Sequence, residues 1–387
     1  MNAERRHKRF FKFAVFVTKP YAKLKFNYRF EPVGKIDGPC FVLCNHNTDA
    51  DPVLLGQAFG KDLYFVATEK VTRMGLTGPF LKHFFDPILH TKGSVGIKTT
   101  IAILKHIKSG HSVGLFPEGN RSFNGISCPI PPATGRLVRR CGATLVTYRL
   151  HGGYLSAPRW SKKTRKGELW GEPAGIYSPG ELQKMTDDEV QTLIERDLYV
   201  DAYEDQRKKQ IAYKGKDLAD GFESAFFVCP KCGKIGSLKS AGCEVSCSCG
   251  FAATYDEYGY LNTGSGERLT LTKLDKMDRR AVAELYAKGG EDVIFKDKVT
   301  LEIVNKDHLV EESKEIFLSA GANGIHLGDE FIPMEEIEGV AINQKNLLIL
   351  NVKGKENHYE CTDEKNFCAL KYLYLIREAV GSATGTL

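Results

Sequence analysis

The sequence predicts an α/β protein: a mixed sheet flanked by helices, followed by a small zinc ribbon and a C-terminal antiparallel β module with a closing helix. Three observations predict it. Between Pro39 and Leu150, apolar runs alternate with segments of helical period. Five cysteines then crowd between Cys229 and Cys249, in a stretch poor in apolar residues. Beyond them come many short strand-like runs and one final amphipathic helix.

Taken in order, the first thirty residues carry nine basic residues from Arg5 to Arg29 against one acid, Glu4. Phe10, Phe11, Phe13, Phe16, Tyr21, Leu24 and Phe26 are interleaved with them. The apolar run there is too short for a signal peptide or a bilayer span, and no other stretch of the chain approaches ~20 apolar residues. The segment reads as a basic amphipathic helix lying on an anionic membrane surface, the alternative being a helix packed on its own domain. Strands are expected at 40–44, 63–68, 112–116 and 143–150. A helix is expected over 99–110, ending at Gly110. Residues 151–171 read as a loop in which Trp160 and Trp170 flank a basic run, a second candidate for an interfacial segment. "SPGE" and "TDDE" give Ser178/Glu181 and Thr186/Glu189 as reciprocal caps of two helices. The expected divisions are 1–30, a membrane-surface segment; 31–222, the α/β domain; 223–262, the ribbon; and 263–387, a helix plus the β module. That module resembles pleckstrin-homology-like units in its strand count and closing helix.

Composition narrows the function. At 387 residues with 26% charged and 10% aromatic residues, the chain has the makings of a sizeable core. Eleven cysteines, an odd number unevenly spaced, argue for metal-bound thiolates in a reducing compartment rather than a disulfide framework. A cytoplasmic protein bound peripherally to the cytoplasmic face of a membrane is expected. The net charge of +6 and the ribbon also suit a nucleic-acid binder. However, the ribbon sets only Lys231, Lys234 and Lys239 against Glu244, so no nucleic-acid partner is expected.

Two motifs carry chemistry. "FVLCNHNTDADP" ends an apolar run at Asn45-His46 and places Asp51 five residues on. Histidine titrates near neutrality and serves as general base for a hydroxyl. A carboxylate on its other ring nitrogen fixes the tautomer and stabilises the imidazolium. Asn45 is placed to hold the turn. "LFPEGNRS" again ends a strand and offers Glu118, Gly119 and Arg121 in quick succession. Glycine admits a ligand close to the backbone, and arginine grips a phosphate with a two-point fork.

Asn45-His46-x4-Asp51 followed by Phe116-Pro117-Glu118-Gly119-Asn120-Arg121-Ser122 resembles the glycerolipid acyltransferase family typified by lysophosphatidate acyltransferase, over roughly residues 30–155. The resemblance implies acyl transfer from acyl-CoA or acyl carrier protein to a hydroxyl of a lysophospholipid, foremost 1-acyl-glycerol-3-phosphate, in phospholipid synthesis. It casts His46 as base and Asp51 as its orienting partner, with Glu118 and Arg121 at the acceptor's phosphate end. Where the family carries an arginine before the middle helix, this sequence has Lys92, counted with Asn45, Glu118, Gly119 and Arg121 as substrate-binding. Thr147 stands near a family proline, and after the second motif only Gly135 is kept. An inactive adaptor built on the same core is the alternative.

"CPKCG" and "CSCG" read as two zinc knuckles, with Cys229, Cys232, Cys247 and Cys249 as ligands and Cys243 as a candidate substitute. Four protein ligands close the coordination sphere, so the zinc is structural.

Overall fold

The computed structural model describes residues 3–69, 71, 75, 77–90, 96–288, 293–306, 308–363 and 367–381. The described residues divide into two compact units: one made of residues up to 90, 96–158 and 165–214, the other of 159–164 and 215–381.

The first unit begins with α1 (Ala3–Phe26), β1 (Arg29–Phe30), β2 (Cys40–Cys44), α2 (Asp51–Phe59), β3 (Tyr64–Thr68), α3 (Thr77–Phe85), β4 (Ile88–His90), α4 (Ile97–Lys108) and β5 (Val113–Leu115). It continues through α5 (Ala133–Cys141), β6 (Thr144–His151), α6 (Gly153–Ser156), β7 (Trp170–Tyr177), α7 (Pro179–Gln183), α8 (Asp187–Leu198) and α9 (Ala202–Lys209). Seven strands form one sheet in the order β1-β7-β6-β2-β5-β3-β4. The pairings β6–β2–β5–β3–β4 are parallel, and β7 lies antiparallel to β6.

Central strand β2 is buried at every position, as expected for a parallel strand covered on both faces. Its side chains alternate between two cores. Cys40, Val42 and Cys44 join Phe11, Phe26, Leu54 and Leu55 on the α1/α2 face. Phe41 and Leu43 join Ile103, Val138 and Ile194 on the α4/α5/α8 face. Helix α2, which follows β2, and helix α5, which follows β5, therefore leave neighbouring parallel strands toward opposite faces. A crevice opens at the carboxyl ends of strands that diverge in this way.

All four strand expectations for this region hold to within a residue at each end, and both capping boxes form, Ser178 with Glu181 and Thr186 with Glu189. Strand β7 was not expected. Its sequence, WGEPAGIY, contains Pro173 and two glycines, which argue against a strand. It pairs with β6 through a register shift between Thr147 and Tyr148, and that bulge accommodates the residues that break the pattern.

The N-terminal segment is one 24-residue helix, part of the first unit. His7, Phe11, Ala22 and Phe26 are buried, and the Phe11 ring lies against Gly56 of α2, where a β-carbon would come within 2.9 Å of it. The opposite face leaves Phe16 78% and Leu24 75% exposed. No helix among the described residues is long and apolar enough to cross a membrane.

In the second unit, β8 (Leu238–Ala241), β9 (Glu244–Cys247), β10 (Phe251–Tyr255), β11 (Leu261–Thr263) and β12 (Arg268–Leu269) form an antiparallel sheet. Helix α10 (Leu271–Lys288) follows. Then come β13 (Phe295–Val304), β14 (Val310–Ala320), β15 (Gly324–Leu327), β16 (Glu330–Pro333), β17 (Ile337–Asn343), β18 (Leu347–Val352), β19 (His358–Thr362) and α11 (Ala369–Val380). The seven strands run in the order β16-β15-β14-β13-β19-β18-β17, in keeping with the many short strand-like runs of the sequence. Buried Asp278 of α10 accepts the Val228 N–H at 2.9 Å, next to the first ribbon cysteine.

Trp160 corrects an expectation. It is fully buried in the second unit, edge-on to Phe222, Phe226 and Tyr255, so it cannot rest in a membrane interface. Trp170, in the first unit, is stacked on His151 at 4.8 Å with the Lys209 ammonium 3.6 Å from its ring centre. The basic run between them is therefore not an interfacial aromatic segment.

Gly135 lets α5 pack closely on α8. A β-carbon there would sit 2.5 Å from the Asp187 carbonyl oxygen and 2.7 Å from the Gln191 nitrogen, both backbone atoms of α8. Gly135→Ala is expected to overpack α5 on α8 and lower unfolding stability by about 1–3 kcal/mol, read as a reduced urea midpoint with unchanged m value.

Candidate functional site

His46 is the second residue past the end of β2, and Asp51 is the first residue of α2. The intervening turn folds around the Asp51 carboxylate, which is 1% exposed. Its Oδ2 accepts the Asn47 N–H at 2.6 Å, the Thr48 N–H at 2.9 Å and His46 Nδ1 at 2.9 Å. Its Oδ1 accepts the Thr48 hydroxyl at 2.6 Å, and the same hydroxyl oxygen takes the Ala50 N–H at 3.2 Å. A buried carboxylate requires this many donors to offset its lost hydration. Because a carboxylate only accepts, the bond places the histidine proton on Nδ1 and leaves the Nε2 lone pair available. The His46 side chain is 22% exposed.

Further contacts surround the imidazole and hold its turn. The Phe116 ring stacks on it at 4.7 Å and 28°, and Phe65 lies parallel to Phe116 at 6.0 Å. Asn45 clamps Leu150 of β6 through both backbone groups, donating to its carbonyl at 2.8 Å and accepting its N–H at 2.7 Å. Asn47 donates to the same carbonyl at 3.1 Å.

The second motif arrives on the neighbouring strand, β5. Gly119 adopts φ +61°, a conformation that favours glycine, and a β-carbon there would meet nothing within 4 Å, so its backbone is open. Arg121 pairs with Asp49 at 3.1 Å; its own side chain is 15% exposed while that of Asp49 is 88% exposed. The pair joins the two motifs across the mouth of the crevice, and an exposed ion pair of this kind holds its partners only weakly.

Glu118 and Asn45, expected as acceptor contacts, have their side chains engaged by the protein itself. Glu118 is buried, and its two oxygens are taken by the protein: Oε1 accepts the His46 N–H at 2.9 Å and Oε2 accepts the Cys128 N–H. Burial pushes its carboxyl up to about 8, against the two amide bonds that favour the charged form. Asn45 spends its side chain on β6. A side chain already satisfied by buried backbone groups is costly to redirect. Lys92 lies outside the described residues. Thr147 is fully buried and donates to Asp197 of α8 at 2.7 Å, away from the dyad. Sequence reasoning missed Asn47, Thr48, Phe116 and the partner of Asp49. Of these only Thr48 carried a local signal, a hydroxyl just ahead of a helix start.

In the second unit the sulfur atoms of Cys229, Cys232, Cys247 and Cys249 all lie within 4.8 Å of one another. Cys229 and Cys249 are 3.6 Å apart, and Cys232 and Cys247 are 3.9 Å apart. A tetrahedral site with Zn–S bonds of about 2.3 Å needs sulfurs about 3.8 Å apart, so the cluster fits a four-thiolate ion. Cys243 is not among them, and the C-x-C knuckle contributes both of its cysteines.

Residues 25–151 match a family model described as Acyltransferase. Among solved structures, the 1-acyl-sn-glycerophosphate acyltransferase of Thermotoga maritima is similar at 15% identity and a TM-score of 0.43, over 51% of this chain and 79% of that one. Comparison with the curated proteins gives no match. The matched segment spans both motifs and the strands that carry them, so residues 25–151 are similar to the acyltransferase family.

Proposed function

We propose that the protein transfers a fatty acyl group from a thioester, acyl-CoA or acyl carrier protein, to a hydroxyl of a lysophospholipid, foremost 1-acyl-glycerol-3-phosphate, as a step of phospholipid synthesis. The observation that carries this reading is the His46–Asp51 dyad at the crevice, with Arg121 on the adjoining strand end. The acceptor hydroxyl oxygen forms a bond to the thioester carbonyl carbon while its proton passes to Nε2 of His46. Asp51 stabilises the imidazolium so formed. The tetrahedral intermediate then expels the thiolate, which leaves as the thiol with that proton, and the ester remains. Arg121 exchanges Asp49 for the acceptor's phosphate, a stronger two-point partner. The open backbone at Gly119 leaves room for that headgroup.

The outward face of α1 supports work at an anionic, cytoplasmic membrane surface. Exposed Phe13, Phe16, Val17, Tyr21 and Leu24 share this helix with Lys19, Lys23 and Lys25. A groove of about 620 Å³ opens beside it, lined by Phe16, Val17, Pro20, Tyr28 and Phe30 with Lys19 and Lys23 at its edge. We read the four-cysteine cluster as a structural zinc site that supplies the order a short, apolar-poor segment lacks. The C-terminal strands and α11 read as pleckstrin-homology-like on strand order alone.

Purified protein offered lysophosphatidate and each donor type should form a diacyl product detectable by mass spectrometry. His46→Ala should reduce kcat by about 10²–10⁴-fold. Arg121→Gln should raise KM for the anionic acceptor by roughly 10–100-fold, the worth of a bond to a charged group, with a much smaller effect on a neutral monoacylglycerol. Absence of product from the unaltered protein across a panel of lysophospholipids would sink the catalytic reading in favour of an adaptor.

For the metal, one zinc per chain is expected by elemental analysis. Cys232→Ser or Cys249→Ser should lower that content, and chelation should open residues 226–262 to protease. Full retention of zinc by both variants would refute the four-thiolate assignment.

A further inference from the structure

We propose that Glu118 is a positioning residue that holds the main chain of His46, and not a ligand of the acceptor. The inference rests on His46 acting as the base in the reaction just described.

The dyad bond to Asp51 fixes the imidazole ring about its own axis, but it leaves open where the ring's backbone sits. That backbone lies past the end of β2, where strand pairing no longer restrains it. Glu118 supplies the missing restraint from 72 residues away, accepting the His46 N–H at 2.9 Å. Its second oxygen takes the Cys128 N–H, so one side chain ties together the exit of β2, the exit of β5 and the segment at Cys128. Two residues before it, Phe116 stacks on the imidazole face. The same turn therefore grips the histidine twice, once through its main chain and once through its ring. With Asp51 on Nδ1, the base is fixed at three points.

Charge and burial argue against the other role. Glu118 is 6% exposed, and its oxygens already face two backbone donors. A buried side chain whose oxygens are committed to backbone donors is costly to redirect toward a phosphate. Anion recognition at this end of the crevice belongs to Arg121, the mostly buried cation whose partner Asp49 is solvent-exposed. The two residues are three positions apart and divide the work: Glu118 faces inward to the base, and Arg121 faces the crevice mouth.

Glu118→Gln keeps the side-chain volume but turns an amide NH2 group toward one of the two N–H donors, which breaks one bond. We expect kcat to fall about 10–100-fold, the scale of a base displaced by up to 1 Å, while KM for lysophosphatidate stays within about twofold. Placed on His46→Ala, Glu118→Gln should cause no further loss, because its effect passes through the histidine. A rise in KM with kcat preserved would overturn the proposal and return Glu118 to the acceptor site. An equal loss in the His46→Ala background would overturn it as well.

A readout independent of turnover separates this proposal from the reaction itself. In protein carrying 15N-labelled histidine, the His46 ring should show a single tautomer protonated at Nδ1. Glu118→Gln, and Glu118→Asp should the first fold poorly, should give a tautomer mixture and a shifted ring titration at an unchanged unfolding midpoint. A ring spectrum and titration identical to those of the unaltered protein would overturn the positioning role even if no acyl transfer were found.

Discussion

The Asp51 carboxylate is the constraint around which the first unit is arranged. A charge with 1% exposure is unfavourable unless donors converge on it. Here they are the Asn47 and Thr48 amides, the Thr48 hydroxyl and the His46 ring. Satisfying that charge dictates the path of the chain from β2 into α2, so the turn and the dyad are one structure. The same bonds that make the carboxylate tolerable also orient the His46 ring. Rigidity at this point follows from the need to solvate a buried charge with backbone, which cannot reorient as water can.

Three acids near the crevice illustrate how placement divides chemically similar groups. Asp51 is buried and saturated with donors, which suits an orienting partner. Glu118 is buried with only two amides, and its carboxyl is pushed up to about 8. Asp49 is open to water and holds Arg121 by an exposed pair, which contributes little to stability. The sequence presents them as three carboxylates in two short motifs. Burial and donor count are what set them apart.

Legibility followed the range of the interactions involved. The strands around β2 and the caps at Ser178 and Thr186 were readable, because short continuous apolar runs and Ser/Thr-x-x-Glu signals are local. Strand β7 was not, since Pro173 and its glycines oppose a strand and only the bulge in β6 reconciles them. Trp160 followed the same rule. Next to "SKKTRKG" it looks interfacial, yet a ring set against Phe222, Phe226 and Tyr255 is fully buried. Helix α1 packs one face on α2 and leaves the other apolar and exposed.

By itself the sequence determined the chemistry available: a histidine with a carboxylate five residues on, an arginine after a strand, and four cysteines at knuckle spacing. Each depends on residues close enough in the chain for a turn to join them. Tertiary structure alone decided what each group faces. It set Glu118 on the His46 amide, Asn45 on Leu150 and Arg121 on Asp49, contacts spanning 72 to 105 residues. No local pattern encodes such partners, because they are fixed by which parallel strands lie side by side and by which face each following helix takes.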